Sequence, residues 1–299
     1  MEIKHLRTFA MIAKTGSFSH AAKELGYAQP TVSTHVLLLE KELNIHLFER
    51  LGHRIILTQE GEKLLNYAEN ILKLCDEALE MVAVSKNNEV ISGKITIGAN
   101  ESFSVVRLPS IMKHFMQEHP MVDISLKFGT VKDIYEQLQN NSVDVAFFLT
   151  REVTYSDLII ETLLTEPVVI VAAPDHPLLF QDSSGIRIFR DQDLIVTHEN
   201  CTYRAMIDEL LREAMVQPRS IIEINSIHAI KQLVISGMGV TILPRISVDY
   251  EISQNLLAEL PWNEQPLPVF TQVAYHKKKW LSPPIMSFIE QTRKCIAIG

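Results

Sequence analysis

Two sets of side chains in this sequence have the means to bind other molecules. The first is Gln29, Pro30, Thr31, Ser33 and Thr34, polar and methyl-bearing residues that open a helical pattern. An amide, hydroxyls and methyl groups projected from the start of one helix suit the edges of bases in a DNA major groove, and glutamine can pair bidentately with adenine. The second set is Ser102, Thr130, Thr202 and Ser226, each following a strand pattern and opening or approaching a helix. Helix starts aim free N–H groups outward, so their convergence beyond the carboxyl ends of strands makes a site for a small anion. Arg204, and more weakly Arg107, would supply a full positive charge there, and Tyr203 would shape the pocket. Taken singly, each hydroxyl is more often just a helix cap.

Catalytic patterns are missing. No G-x-S-x-G elbow, phosphate loop or HExxH motif accompanies the candidate nucleophiles, so an enzyme is the weaker class. Cys75, Cys201 and Cys295 lie far apart with no C-x-x-C pair, which speaks against a disulfide framework, a zinc site or any other metal. His198 and Cys201, at the start of one helical pattern, admit an alternative: a thiol-based redox sensor, since a helix start lowers a thiol's pKa. A partner cysteine nearby is lacking.

The elements that must position the first set are short helices. Leu6, Phe9, Ala10 and Ala13 repeat at helical spacing, Gly16 ends that helix, and Ser17 or Ser19 caps the next. Ala21-Ala22-Lys23-Glu24-Leu25 runs to Gly26, and a third helix starts at Gln29-Pro30 with Val32, Val36, Leu39 and Leu43 as its apolar stripe. Two small helices about a tight glycine turn form a helix-turn-helix, whose second helix enters the groove by its N-terminal end. Residues 49–54 read as a hairpin tip, a wing, where Arg50, His53 and Arg54 would meet phosphate or the minor groove.

Charge agrees in sign. The chain carries −8 overall, yet residues 1–58 hold seven Lys/Arg against five Asp/Glu, which leaves −10 on the remainder. Five of the eleven histidines (5, 20, 35, 46 and 53) also fall in this segment, and each could gain charge beside phosphate. Lys277-Lys278-Lys279 reads as a solvated turn after the last strand, the alternative being a contact with bent DNA. No apolar run is long enough to span a bilayer and the first residues lack a secretory core, so no membrane partner and a cytoplasmic location are expected.

From Thr58, a helical pattern persists to about Ser85. Leu64, Ala68, Ile71, Cys75, Ala78 and Val82 follow steps of four and three, with Leu65, Leu72 and Leu79 beside them. So broad a stripe must be buried, and pairing with a second copy is the economical solution. After a linker at Asn87-Asn88-Glu89 and Ser92-Gly93 the pattern alternates strand and helix, the mark of an open α/β sheet. Strands are expected near 95–98, 123–128, 143–149, 168–173, 194–197, 221–224 and 239–243, with helices at 105–117, 131–139, 203–214 and 227–236. Two sheets fit this pattern.

Phe18-Ser19-His20-Ala21-Ala22, Gln29-Pro30-Thr31-Val32-Ser33, Leu39-Glu40-Lys41-Glu42-Leu43, Leu47-Phe48-Glu49-Arg50 and Leu57-Thr58-Gln59-Glu60-Gly61 closely resemble the signature of LysR-type transcriptional regulators. Leu108-Pro109, Phe115, His119-Pro120, Gly129, Asp144-Val145-Ala146 and Gly237 to Pro244 extend the resemblance through the family's effector domain. The resemblance implies an α plus α/β chain in three parts: a winged helix-turn-helix at 1–58, a dimerisation helix at 59–90, and a two-subdomain effector domain at 91–299 akin to periplasmic binding proteins. Subdomain I would take 91–162 and 268–299, and subdomain II 163–267. It also implies a homodimer assembling to a homotetramer on double-stranded promoter DNA with an interrupted palindrome, contact with RNA polymerase, and no cofactor beyond a small effector, a carboxylate or other anion, near Asn100 and the hydroxyl set. Two departures stand out: Asn44 replaces a usual glycine, and Thr34 replaces a common basic residue. The competing class is a small-molecule-binding protein or enzyme with no regulatory role.

Overall fold

The computed structural model describes residues 1–51, 54–83, 90–181, 185–197, 202–261 and 268–298. The chain forms two compact units, Met1–Glu89 and Val90–Gly299.

In the first unit, helices α1 (Ile3–Thr15), α2 (Phe18–Leu25) and α3 (Gln29–Leu43) are followed by the hairpin β1 (Phe48–Leu51) and β2 (Arg54–Leu57), then by α4 (Gln59–Ala83). Ser17 caps α2 by accepting the His20 N–H. Gly26 ends it at φ 68°, a left-handed conformation that a side chain would strain, and this sharp turn aims α3 across α2. Asn44 closes α3 at φ 55°, so asparagine performs the glycine's task. Ile12, Ala21, Ala22, Val32 and Val36 form one small core; Leu6, Phe9, Leu39, Leu47 and Ala68 form another. Leu43 departs from the expected stripe and is 36% exposed, since α3 outruns the core beneath it.

Among its described residues the second unit holds three sheets, of five, three and two strands, one more than the pattern suggested. Strands β3 (Gly93–Ala99), β4 (Val122–Phe128), β5 (Val145–Thr150), β6 (Leu158–Glu166) and β12 (Val269–His276) make a five-stranded sheet in the order β4-β3-β5-β12-β6. The β3 strand runs parallel to β4 and β5, whereas β12 runs antiparallel to β5 and β6. The chain leaves this sheet at Pro167 and builds a second subdomain. There β7 (Val168–Ala172) lies between β10 (Thr241–Pro244) and β11 (Ala258–Leu260), while β8 (Asp193–Val196) pairs in parallel with β9 (Ser220–Glu223). It returns through β12 and ends in α11 (Pro283–Ile298), which packs Phe288 edge-on against Phe115.

The other α-helices among the described residues of this unit are α5 (Glu101–Val106), α6 (Leu108–Glu118), α7 (Val131–Gln139), α8 (Thr202–Glu213), α9 (Ile227–Ile235) and α10 (Asp249–Ser253). The helix expected at 105–117 is thus two helices that break at Arg107, with Pro109 in the first turn of the second. Proline suits that turn and cannot continue a helix already under way. Gly239 has a separate reason: a Cβ there would stand 2.2 Å from the Asp193 carbonyl oxygen, where Leu194 of β8 bridges to Val240, the residue before β10.

The lysine triplet corrects an expectation. Lys277 and Lys278 are exposed, but the Lys279 ammonium is buried 2.6 Å from Asp144 and donates to Asn141. Asp144 in turn accepts the Thr96 N–H at 2.6 Å, so the charge pair locks β5 to β3.

Candidate DNA-binding and effector sites

Val32, His35, Val36 and Leu39 turn inward from α3, which leaves Gln29, Pro30, Thr31, Ser33 and Thr34 exposed together at its first turns. The Thr34 hydroxyl donates to the Pro30 carbonyl at 2.9 Å, so what it can offer a base is its methyl and acceptor lone pairs. Arg50 and Arg54 belong to the hairpin strands, but their side chains, like all of His53, lie outside the described residues.

Two of the five histidines are not free to meet phosphate. His5 and His35 are buried, 5% and 7% exposed, with ring centroids 5.0 Å apart between α1 and α3. Thr8 Oγ1 donates to the Lys4 carbonyl and lies 2.8 Å from His35 Nδ1, which assigns the proton to that nitrogen; Tyr27 meets the ring edge-on. Burial, then the neighbouring His5, pushes the His35 pKa down. His20 and His46 remain on the surface, close to Glu24 and Glu40.

Helix α4 carries two apolar faces. Ala68 is fully buried, and Leu64, Leu65, Ile71 and Leu72 pack beside it onto the core of the same unit, with Arg7 reaching Asp76 at 3.2 Å. The expected seam therefore loses Leu64 and Ala68, because α1 already covers them. Exposed apolar residues instead fall at Tyr67, Leu74 and Met81, seven residues apart, with Ala78 and Val82 also exposed. Cys75 is half-buried.

In the second unit, parallel pairing sets the C-terminal ends of β3, β4 and β5 at one edge, and those of β8 and β9 at another. Asn100 caps α5 after β3. Its amide also accepts the Leu149 N–H and donates to the Leu149 carbonyl, each at 3.0 Å, so the side chain is tied to β5. Ser102 is buried on α5. Thr130 caps α7 after β4 in a reciprocal capping box with Asp133, whose carboxyl is held below its usual range by the Thr130 hydroxyl and N–H. Ser226 caps α9 by accepting the Ala229 N–H. Thr202 opens α8, but its side chain and that of Tyr203 lie outside the described residues, as do His198 and Cys201 altogether.

Neither expected arginine stands unpaired. Arg204 is buried, bonds Asp208 at 2.8 Å and approaches Glu223 at 3.5 Å, although its Nη1 makes no hydrogen bond among the described residues. Arg107 is buried against Glu166 through three hydrogen bonds of 2.8 to 3.1 Å. Thr271 donates to the same carboxylate. Sequence reasoning passed over Glu101, whose carboxylate accepts the Ile227 N–H at 3.1 Å and joins the two subdomains. An acid in a first helical turn is too common to have marked it out.

Among the described residues no group of three or more His, Cys, Asp or Glu is arranged to hold a metal, and no helix is long and apolar enough to cross a membrane. What the two units offer is an exposed polar helix start on one and, on the other, helix starts that follow strand ends at two edges. Both are suited to binding.

Comparison with known proteins matches this division. Residues 3–62 match the family model for the bacterial regulatory helix-turn-helix protein, lysR family, and residues 88–295 match that for the LysR substrate binding domain. The chain is 37% identical to the uncharacterized HTH-type transcriptional regulator YwqM of Bacillus subtilis, over 98% of this chain and 99% of that protein. It is 32% identical to the HTH-type transcriptional activator CmpR of Synechocystis sp., over 96% and 93% respectively. Among solved structures, full-length OxyR from Pseudomonas aeruginosa has the same fold at 22% identity, with a TM-score of 0.73 over 100% of this chain and 95% of that one. CbnR, solved with its target DNA, matches at a TM-score of 0.71 and 22% identity over 99% and 100%. The chain is accordingly a member of the LysR family, a DNA-binding transcriptional regulator that carries its own effector-binding domain.

Proposed function

We propose that the chain binds an interrupted palindrome in promoter DNA as a dimer that assembles to a homotetramer, and that a small anion in the effector domain alters the geometry of that binding. The observation that carries this reading is the exposed start of α3: every polar residue there points away from the core that fixes the helix. Gln29 and Ser33 read base edges, Pro30, Thr31 and Thr34 supply apolar and methyl contacts, and Arg50, His53 and Arg54 hold phosphate at the wing. With only a small positive balance on each copy, several copies must share the work.

The α4 helices of two copies would meet along Tyr67, Leu74, Ala78 and Met81, whose steps of seven, four and three suit a coiled-coil seam, with Ile71, Cys75 and Val82 flanking it. Because Arg107 and Arg204 already face carboxylates, helix-start N–H groups and the hydroxyls of Ser102, Thr130, Thr202 and Ser226 would hold the effector, a carboxylate or other anion. Cytoplasmic placement, contact with RNA polymerase, and action by binding rather than turnover accompany this role, with DNA reading in 1–58, pairing in 59–90 and sensing in 91–299.

The test is Gln29→Ala, assayed on the chain's own promoter region and on a random duplex at one stated salt concentration. Loss of a bidentate contact worth about 1–3 kcal/mol should weaken specific binding by roughly five- to 150-fold while random binding changes little. Equal loss on both would remove Gln29 from the reading set.

A further inference from the structure

Helix α5 is held by both subdomains of the effector unit. Asn100 fixes its start to the Leu149 backbone on β5. The next residue, Glu101, reaches into the second subdomain and accepts the N–H of Ile227, the first residue of α9. Its body lies against the short turn Arg245–Ser247, also in the second subdomain. Its far end is Arg107, buried against Glu166 and, through that carboxylate, Thr271. Those last two residues lie on β6 and β12, the strands by which the chain leaves for the second subdomain and returns.

We propose that α5 is a strut between the subdomains and that Glu101 is its releasable end, standing at the start of α9 where an anionic effector would stand. The inference rests on the reading that the unit senses a small anion. A carboxylate is favoured at a helix start by the unpaired N–H groups and the dipole, and the same features would attract a free anion. An effector that takes the Ile227 N–H must displace Glu101. Arg107 stays bound, so the freed helix pivots about the two crossover strands, and its loss of hold on α9 becomes a change in the angle between subdomains. Lys231, one turn further along α9, is engaged by Glu251 at 2.6 Å and by the Ser247 carbonyl, so it does not compete for Glu101.

Amide hydrogen exchange on the full-length protein without added ligand tests the strut. Glu101→Ala should speed exchange about fivefold or more in the first turn of α9 and also in the crossover segments around 166–170 and 269–272. Glu101→Gln keeps an acceptor oxygen without the charge and should give a smaller change of the same pattern. Faster exchange at α9 alone would make Glu101 a simple cap and overturn the proposal, as would no change at either place. A footprint on the promoter region provides the regulatory readout: Glu101→Ala should alter the protected region with no ligand present, and an unaltered footprint would remove the regulatory role. If wild type gave no footprint, the DNA-binding reading would fail by itself, while the exchange data would still decide the strut.

Discussion

Three neighbouring lysines, alike in sequence, should respond to substitution in opposite ways. The Lys279 and Asp144 side chains are each only 4% exposed, whereas Lys277 and Lys278 face solvent. Replacing Lys279 by alanine leaves a buried carboxylate without its counter-charge, a change that costs about 3–5 kcal/mol in comparable pairs. Asp144 keeps the Thr96 N–H, which places the cost near the low end. At roughly 2–4 °C per kcal/mol for a domain of this size, the effector unit of Lys279→Ala should melt about 6–12 °C below wild type. Lys277→Ala and Lys278→Ala should each stay within about 2 °C, since exposed substitutions usually change stability by no more than about 0.5 kcal/mol. Adding Asp144→Asn to Lys279→Ala should recover part of the loss, because an amide needs no counter-ion. The assay is scanning calorimetry of the full chain, following the transition of the larger unit. A Lys279→Ala melt within about 2 °C of Lys278→Ala would mean that Lys279 and Asp144 do not form a stabilising buried pair.

Acid should loosen the DNA-binding unit through His35. Its folded-state pKa is depressed, so the unfolded chain takes up the proton first as pH falls; the stability is present above about pH 6.5 and is lost as pH drops toward the folded value. Urea unfolding at pH 7.5 and 5.5 should show a falling midpoint that His35→Gln flattens, and parallel slopes in the two proteins would exclude His35 as the cause. Leu74→Glu with Met81→Glu, at positions 55% and 53% exposed, should dissociate the oligomer in sedimentation velocity without unfolding the first unit. Ala68→Glu, at a fully buried position, should unfold that unit instead. Intact oligomers in the first variant would move the seam elsewhere on α4.

Local pattern determined much of this protein. Helix periods, the cap at Ser17, the turn at Gly26 and the proline at the start of α3 are short-range signals, and they alone define the helix-turn-helix and its exposed polar face. Alternating strands and helices likewise defined an α/β effector unit. The helix break at Arg107 was less legible, because Pro109 fits the start of a new helix as well as it disrupts an old one.

Partner choice was decided only by tertiary structure. Periodicity marks a stripe on α4 as apolar but cannot say that α1 of the same chain covers Leu64 and Ala68 and leaves Tyr67, Leu74 and Met81 outside. Composition counts Arg107, Arg204, Lys279, His5 and His35 as charges or potential charges facing solvent or a ligand. Folding places carboxylates from distant segments beside Arg107 and Lys279, sets Arg204 between Asp208 one turn along its own helix and Glu223 on β9, and buries the two histidines. Glu101 meets Ile227 across 126 positions of sequence. Short-range order follows from the residues themselves, whereas the fate of a charge depends on what long-range contacts bring next to it.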